Sequence, residues 1–207
     1  MSFDLKLHAY RLLMDEPFFA ALSRKIEKRA CNAIPTAGVR VDPDTAQFEM
    51  IYNPDFFASL PEEHVRGVLK HEFYHLIFDH VTSRKPEGVN HKAWNIAADL
   101  AINSHLQGEL PDNCCMPGVG PFAEMPLHQT AEWYLANMPQ SEDPDSGEGE
   151  GEPGDGDEGS EGGEGQPTAD SPGSFDDHSG WSDSGDSPAQ EAANQMAKER
   201  LKNAMKD

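Results

Sequence analysis

The sequence contains few cysteines, and their spacing disfavours both common structural uses of that residue. The three, Cys31, Cys114 and Cys115, are an odd number without a CxxC pair. The pattern therefore favours neither a disulfide framework nor a cysteine-based zinc site, and reduced thiols in a cytosolic protein are the default expectation.

Long hydrophobic runs are also absent. No stretch approaches the roughly 18 apolar residues of a membrane span. The N-terminus, MSFDLKLHAYRLL, lacks the basic start and apolar core of an export signal. These absences predict a cytoplasmic protein that neither spans nor binds a membrane.

Basic residues are scarce as well, since 16 Lys and Arg stand against 37 Asp and Glu, for a formal charge of −21. This balance disfavours contact with nucleic acid, and neither GxxxxGK[ST] nor GxGxxG occurs to indicate nucleotide binding. Ser141 to Pro188 consists of Gly, Glu, Asp, Ser and Pro with scarcely an apolar residue. We therefore predict a domain over 1–140, a disordered acidic linker over 141–187 and a C-terminal helical segment over 188–207.

What the sequence does contain is HEFYHLIFDH, His71 to His80, which includes an HExxH pattern. Positions i and i+4 of a helix lie one turn apart on one face, so His71 and His75 can bind one zinc ion together. Glu72 lies about 100° round the helix, beside the metal, where it can take a proton from a zinc-bound water. An ordinary helix with two incidental histidines is the alternative. A buried helix is favoured by the apolar residues Val65, Val68, Leu69, Phe73, Leu76 and Ile77.

A catalytic zinc site needs a third protein ligand. Asp79 shares the face of His71, but eight residues of helix span about 12 Å, which is too far for one ion. His80 lies about 180° round an unbroken helix from His71 and points away, although it remains the alternative third ligand. Asp99 is the preferred candidate.

Asp99 belongs to a second helix-like run, AWNIAADLAIN. Asn95, Asp99 and Asn103 repeat every four residues and form a polar stripe on an otherwise apolar helix. A buried carboxylate costs free energy unless it is paired or binds a metal, so zinc on the preceding antiparallel helix is its expected partner. Exposure of Asp99, or pairing with Arg84 or Lys92, is the alternative.

Three segments, YNPDFFASLPEEHVRGVLK, HEFYHLIFDH and WNIAADLAIN, resemble a known family. It is the putative metallopeptidase domain that often occurs beside a von Willebrand factor A-like domain, and its genes tend to neighbour AAA+ ATPases of the MoxR type. FDDHSGW, Phe175 to Trp181, is similar to the linker of that family. In long members an A-type domain begins where Asp207 ends this chain, so its contribution is expected to be absent or supplied in trans. The resemblance implies a metallopeptidase with an AAA+ ATPase or an A-type domain as partner.

The predicted fold class is α+β, a zincin-like helical domain with a small antiparallel β unit. Residues 38–42 and 46–52 are predicted to form a hairpin. In zincins a strand above the active-site helix pairs with extended substrate, and 46–52 is the candidate for that role; an ordinary structural hairpin is the alternative. A short helix should follow Asn53, and further helices are predicted over 4–14, 16–30, 128–138 and 188–206.

These features together predict a zinc-dependent metallopeptidase that acts on a protein or peptide substrate. Zn²⁺ would be held by His71, His75 and Asp99, with Glu72 as the general base. The alternative is a non-catalytic zinc-binding adaptor that works with a AAA+ ATPase, although such a site has no need of a general base. A nucleic-acid-mimicking inhibitor that acts through the acidic tail is supported by charge alone.

Overall fold

A computed structural model describes residues 4–139 and 188–205. The α+β class is confirmed. None of the described helices is long and apolar enough to span a membrane. Helices α1 to α7 are Leu5–Asp15, Pro17–Ser23, Pro54–Ser59, Glu62–Ile77, His91–Asn103, Ala131–Asn137 and Pro188–Ala204, and strands β1 to β3 are Glu27–Ala30, Ala37–Asp42 and Gln47–Tyr52.

The strands form a mixed sheet in the order β1-β3-β2. β2 and β3 are the predicted hairpin, antiparallel with Val39 opposite Met50. β1 lies parallel to β3 on its other side, with Lys28 also opposite Met50. Because β3 is paired on both sides, the expectation that 46–52 pairs with an extended substrate is wrong. The outer edges of the sheet belong to β1 and β2.

The predicted helix over 16–30 is wrong in its second half. α2 ends at Ser23, and Glu27–Ala30 is β1. The residues of β1 are mostly good helix formers. Their main chain nevertheless pairs with β3, and such tertiary pairing routinely overrides helix propensity. Phe19, Leu22 and Ile26 are buried, so the apolar pattern of this segment still indicates its inner face.

Two helices, α4 and α5, carry the motifs found in the sequence and face each other. α4 follows Pro61 and has acidic residues in its first turn, where they interact favourably with the helix dipole. α5 begins after Asn90, whose side chain accepts a hydrogen bond from the Ala93 N–H at 3.2 Å. Gly67 allows the chain after α5 to lie directly on α4, because a Cβ there would be 1.9 Å from the carbonyl oxygen of Glu109.

The core has two parts. The larger part, which includes Val68, Phe73 and Met50, joins α4 to the sheet and to α1, α2 and α7. The smaller part joins α5 to α6 around Trp94 and Tyr134. The larger cluster holds α4 and also includes Ile102 of α5, whereas the smaller cluster holds the rest of α5. The two clusters together set the relative positions of the side chains between α4 and α5.

The helix near the C-terminus packs on the rest of the described fold. Ala193, Ala197 and Leu201 of α7 are buried in the larger cluster. The guanidinium of Arg200 donates to the carbonyl oxygens of Thr45 and Ala46 at 2.9 and 2.8 Å. The predicted linker over 141–187 lies outside the described residues, and the division into 1–140, 141–187 and 188–207 stays a prediction.

Candidate metal centre

Three side chains from α4 and α5 converge on one point. The Nε2 atoms of His71 and His75 are 2.8 Å apart. Oδ1 of Asp99 is 3.7 Å from Nε2 of His71 and 3.4 Å from Nε2 of His75. Helical periodicity places the histidines one turn apart, and Asp99 faces them from the middle of α5. The structure therefore brings together the three predicted ligands in a group whose donor atoms could hold one metal ion.

The spacing and chemistry of this group fit a divalent metal such as zinc. Tetrahedral ligands about 2.0–2.1 Å from an ion are about 3.3 Å from one another. The distances of 3.4 and 3.7 Å to Asp99 are close to that value, and the 2.8 Å between the histidines is shorter. All three side chains are 0 % exposed. Since a buried carboxylate is costly without a compensating charge, a divalent cation would stabilise this arrangement.

Glu72 is also fully buried, next to His71 on α4. Helical geometry places it about 100° round from His71. It does not belong to the group of donor atoms, which is the relation expected of a residue beside a metal rather than on it. Its role as a general base stays a prediction.

Asn103 links the group to the chain that follows α5. Its Oδ1 is 2.7 Å from Nδ1 of His71, and its Nδ2 donates to the carbonyl oxygen of Cys115 at 2.7 Å. The sequence indicated Asn103 only as part of the polar stripe on α5. Its contact with Cys115 could not be predicted, because a main-chain carbonyl leaves no signal in the sequence.

His80 lies behind His75 and outside the group. Its Nδ1 is 3.3 Å from Nδ1 of His75, whereas Nε2 of His75 faces His71 and Asp99. α4 ends at Ile77, and the left-handed residue Asp79, with φ 62°, turns the chain back so that His80 reaches His75. The structure therefore does not bring His80, the alternative third ligand, into the group.

The turn after α4 is held by ionic contacts. The Asp79 carboxylate accepts from the hydroxyls of Thr82 and Ser83 and pairs with Lys198 of α7. Arg84 binds the Glu132 carboxylate through two nitrogens, at 2.5 and 2.9 Å. Arg84 thus pairs with Glu132 of α6. It does not pair with Asp99, which was the alternative suggested from the sequence.

A second pair of histidines lies at the end of α5. The rings of His105 and His128 have their centroids 4.8 Å apart. Partial burial, reinforced by the charge of His128, lowers the pKa of His105. The Tyr74 ring is 6.4 Å from His105, and burial raises the pKa of the Tyr74 hydroxyl. Both shifts favour the neutral forms of His105 and Tyr74.

An HExxH helix with two histidines and an aspartate gathered around one point is typical of metal-dependent hydrolases. Comparison with known families agrees with that class. The profile of the family described as "Putative metallopeptidase domain" matches residues 2–206, and the chain belongs to this family. The suspected family is thereby confirmed, together with the coarser assignment as a metallopeptidase domain.

One curated relative is similar over a short segment. A protein of Thermotoga maritima, described as "Uncharacterized protein", is 29 % identical over 62 residues, which are 30 % of this chain and 16 % of the relative. The match thus covers about a sixth of the length of that relative. No solved structure matches the chain.

Proposed function

We propose that this protein is a zinc-dependent peptidase that hydrolyses peptide bonds in a protein or peptide substrate. The observation that carries the proposal is the buried convergence of His71, His75 and Asp99 beside Glu72. Membership of the metallopeptidase family supports the same reading.

The residues of the site have two roles in this proposal. His71 and His75 would hold the zinc through their Nε2 atoms, and Asp99 through a carboxylate oxygen. Zinc supplies a Lewis acid that polarises the scissile carbonyl and lowers the pKa of a water. Glu72 takes the proton of the attacking water and later delivers it to the leaving amine.

The partners in this proposal come from the family resemblance. A AAA+ ATPase, or a protein with an A-type domain, would present or unfold the substrate. The formal charge of −21 disfavours nucleic acid and anionic membranes as partners.

Metal analysis and peptide cleavage on the same preparations test the proposal. Wild type should contain one zinc per chain and cleave a mixed peptide library followed by mass spectrometry, with the ATPase added if required. Glu72→Gln should retain zinc, because Glu72 is not a ligand. Its cleavage rate should fall roughly 10²- to 10⁴-fold, because the general base is lost. His75→Ala should lose both zinc and cleavage. His64→Ala, on the same helix but outside the group, should retain both.

Two results would count against the peptidase. If the wild-type protein binds no zinc, the proposed metal site itself is refuted. Zinc binding without cleavage, together with normal behaviour of Glu72→Gln in cells, would instead favour the alternative, a zinc-binding adaptor that works with a AAA+ ATPase.

A further inference from the structure

The Asn103 side chain lies between two groups that fix its orientation. Nδ2 is 2.7 Å from the carbonyl oxygen of Cys115, which can only accept a hydrogen bond. The amide nitrogen must therefore face Cys115, and the amide oxygen must face His71. Because that oxygen also only accepts, the proton in the 2.7 Å contact with His71 belongs to Nδ1 of the imidazole.

We infer that Asn103 is a positioning residue that keeps His71 in the Nδ1–H tautomer, with its Nε2 lone pair directed at the metal position. Nε2 of His71 is the atom that lies 2.8 Å from His75 and 3.7 Å from Asp99. A histidine that binds a metal donates its other ring N–H to an acceptor, which fixes both tautomer and ring orientation. The inference rests on the proposed zinc site and adds the residue that prepares it.

A neutral amide has a physical advantage at this position. Asp99 and Glu72 are both 0 % exposed, so the site already contains two buried carboxyl groups. A carboxylate in place of Asn103 could accept from His71, but it would have no donor for the Cys115 carbonyl and would add a third buried carboxyl group, which is costly to bury in its charged form. The amide orients the ring without that cost.

The restraint is anchored outside the helix that carries Asn103. Cys115 is buried in the smaller core cluster with Trp94 and Tyr134. Its carbonyl thus holds the amide from a separate, packed segment of chain. Rotation of the amide would break the bond to Cys115 and the bond to His71 together.

A pair of matched substitutions tests this role. Asn103→Leu removes the acceptor for His71 while it keeps a similar side-chain volume. Asn95→Leu makes the same change two turns earlier on the stripe, where the side chain is 8 % exposed and its Oδ1 has no hydrogen-bond partner in the described part of the chain. Zinc affinity, measured by competition with a chromophoric chelator, should fall roughly 10- to 100-fold for Asn103→Leu. It should be unchanged for Asn95→Leu.

The tautomer of His71 can also be measured directly in the wild-type protein. In metal-free wild type, long-range proton–nitrogen NMR correlations should show His71 protonated at Nδ1, and Asn103→Leu should lose that preference. An Nε2–H tautomer in wild type, or wild-type zinc affinity in folded Asn103→Leu, would overturn the inference. If Asn103→Leu fails to fold, the wild-type spectrum decides. Wild type that binds no zinc refutes the proposed function, whereas the metal-free spectrum still decides the role of Asn103.

Discussion

At the scale of single residues, the middle of α5 determines how the candidate site is completed. α4 can direct two imidazoles at one ion, but it ends at Ile77. Asp79 lies in the turn that follows, where its carboxylate is engaged with Thr82, Ser83 and Lys198. Asp99 reaches the same point as His71 from a second helix. A metal bound here would therefore connect α4 to α5.

Substitution of the third ligand distinguishes Asp99 from His80. Asp99→Ala leaves two protein ligands, too few for a catalytic zinc site, so zinc measured by mass spectrometry on the purified protein should be lost. His80→Ala should retain zinc, because the His80 ring approaches His75 at Nδ1 and not at Nε2. The opposite result, with zinc lost from His80→Ala and kept by Asp99→Ala, would transfer the ligand role to His80.

The residues of the site differ in how far the sequence predicts them. His71, His75 and Asp99 follow from helical spacing and from the cost of burying a carboxylate, both of which can be read from the sequence. The contact of His80 with His75 depends on a left-handed turn at Asp79, with φ 62°. Aspartate is one of the few non-glycine residues that tolerate this conformation, so the turn lacks the glycine that would have indicated it.

Gly67 provides a test of the packing on α4. In most helices Gly→Ala is stabilising, by about 1 kcal/mol. Here the added Cβ would lie 1.9 Å from the Glu109 carbonyl oxygen, so the main chain after α5 must move. We expect Gly67→Ala to lower the free energy of unfolding by about 1–3 kcal/mol in urea titrations. Glu63→Ala, at an exposed position in the first turn of the same helix, should cost only the interaction of its carboxylate with the helix dipole, about 0.3–1 kcal/mol. A gain in stability for Gly67→Ala would exclude the close approach.

At the scale of elements, periodicity predicted the helices that carry the site and the hairpin, but not β1. The four residues of β1, Glu27–Ala30, are mostly exposed and do not alternate between polar and apolar. They form a strand because their main chain pairs with the side of β3 that is not occupied by β2. The local sequence of residues 27–30 does not indicate that this side of β3 is available. The site does not depend on this error, since α4 and α5 are positioned by the two core clusters.

The pair of Arg84 and Glu132 joins the turn after α4 to α6 and makes stability depend on pH. Hydrogen bonds from Arg84 hold the pKa of the Glu132 carboxyl below its ordinary value of 4.5. The stabilisation is therefore complete above pH 4.5 and is lost as the pH falls through the lower value of the folded protein. Because both side chains are about a third exposed or more, we expect Glu132→Gln to cost only about 0.2–1 kcal/mol at neutral pH.

Urea titrations of wild type and Glu132→Gln over a series of decreasing pH values measure this effect. The two curves should differ at neutral pH and converge at acidic pH, where the wild-type carboxyl is protonated as well. High salt should reduce the difference at neutral pH, because partly exposed ion pairs are screened. A difference that persists unchanged at acidic pH would show that Glu132 stabilises by packing and not by its charge.

At the scale of the whole molecule, α7 packs against the sheet and against the turn after α4. Its apolar face contributes Ala197 and Leu201 to the larger core cluster. Its polar side reaches the turn after α4, where Lys198 pairs with Asp79 and the Asn194 amide donates to the Thr82 carbonyl at 3.5 Å. Release of α7 would therefore expose part of the core and remove one support of the turn that carries His80.

Two variants, with a glutamate on the buried face or on the exposed face of α7, test whether this helix is part of the fold. Ala197 is 1 % exposed, so Ala197→Glu would bury an unpaired charge. The helix can avoid that cost by leaving the core, which limits the loss to the free energy of docking α7, about 2–4 kcal/mol for a substitution of this kind. Because most of the stability of a protein helix comes from tertiary packing, the amides of an undocked α7 should then exchange rapidly with deuterium. Ala192→Glu makes the same change at an exposed position of the same helix and should leave both stability and exchange close to wild type. Rapid exchange of α7 in wild type, or equal losses in the two variants, would mean that the helix is not docked in solution and that the core ends with the residues before the acidic segment.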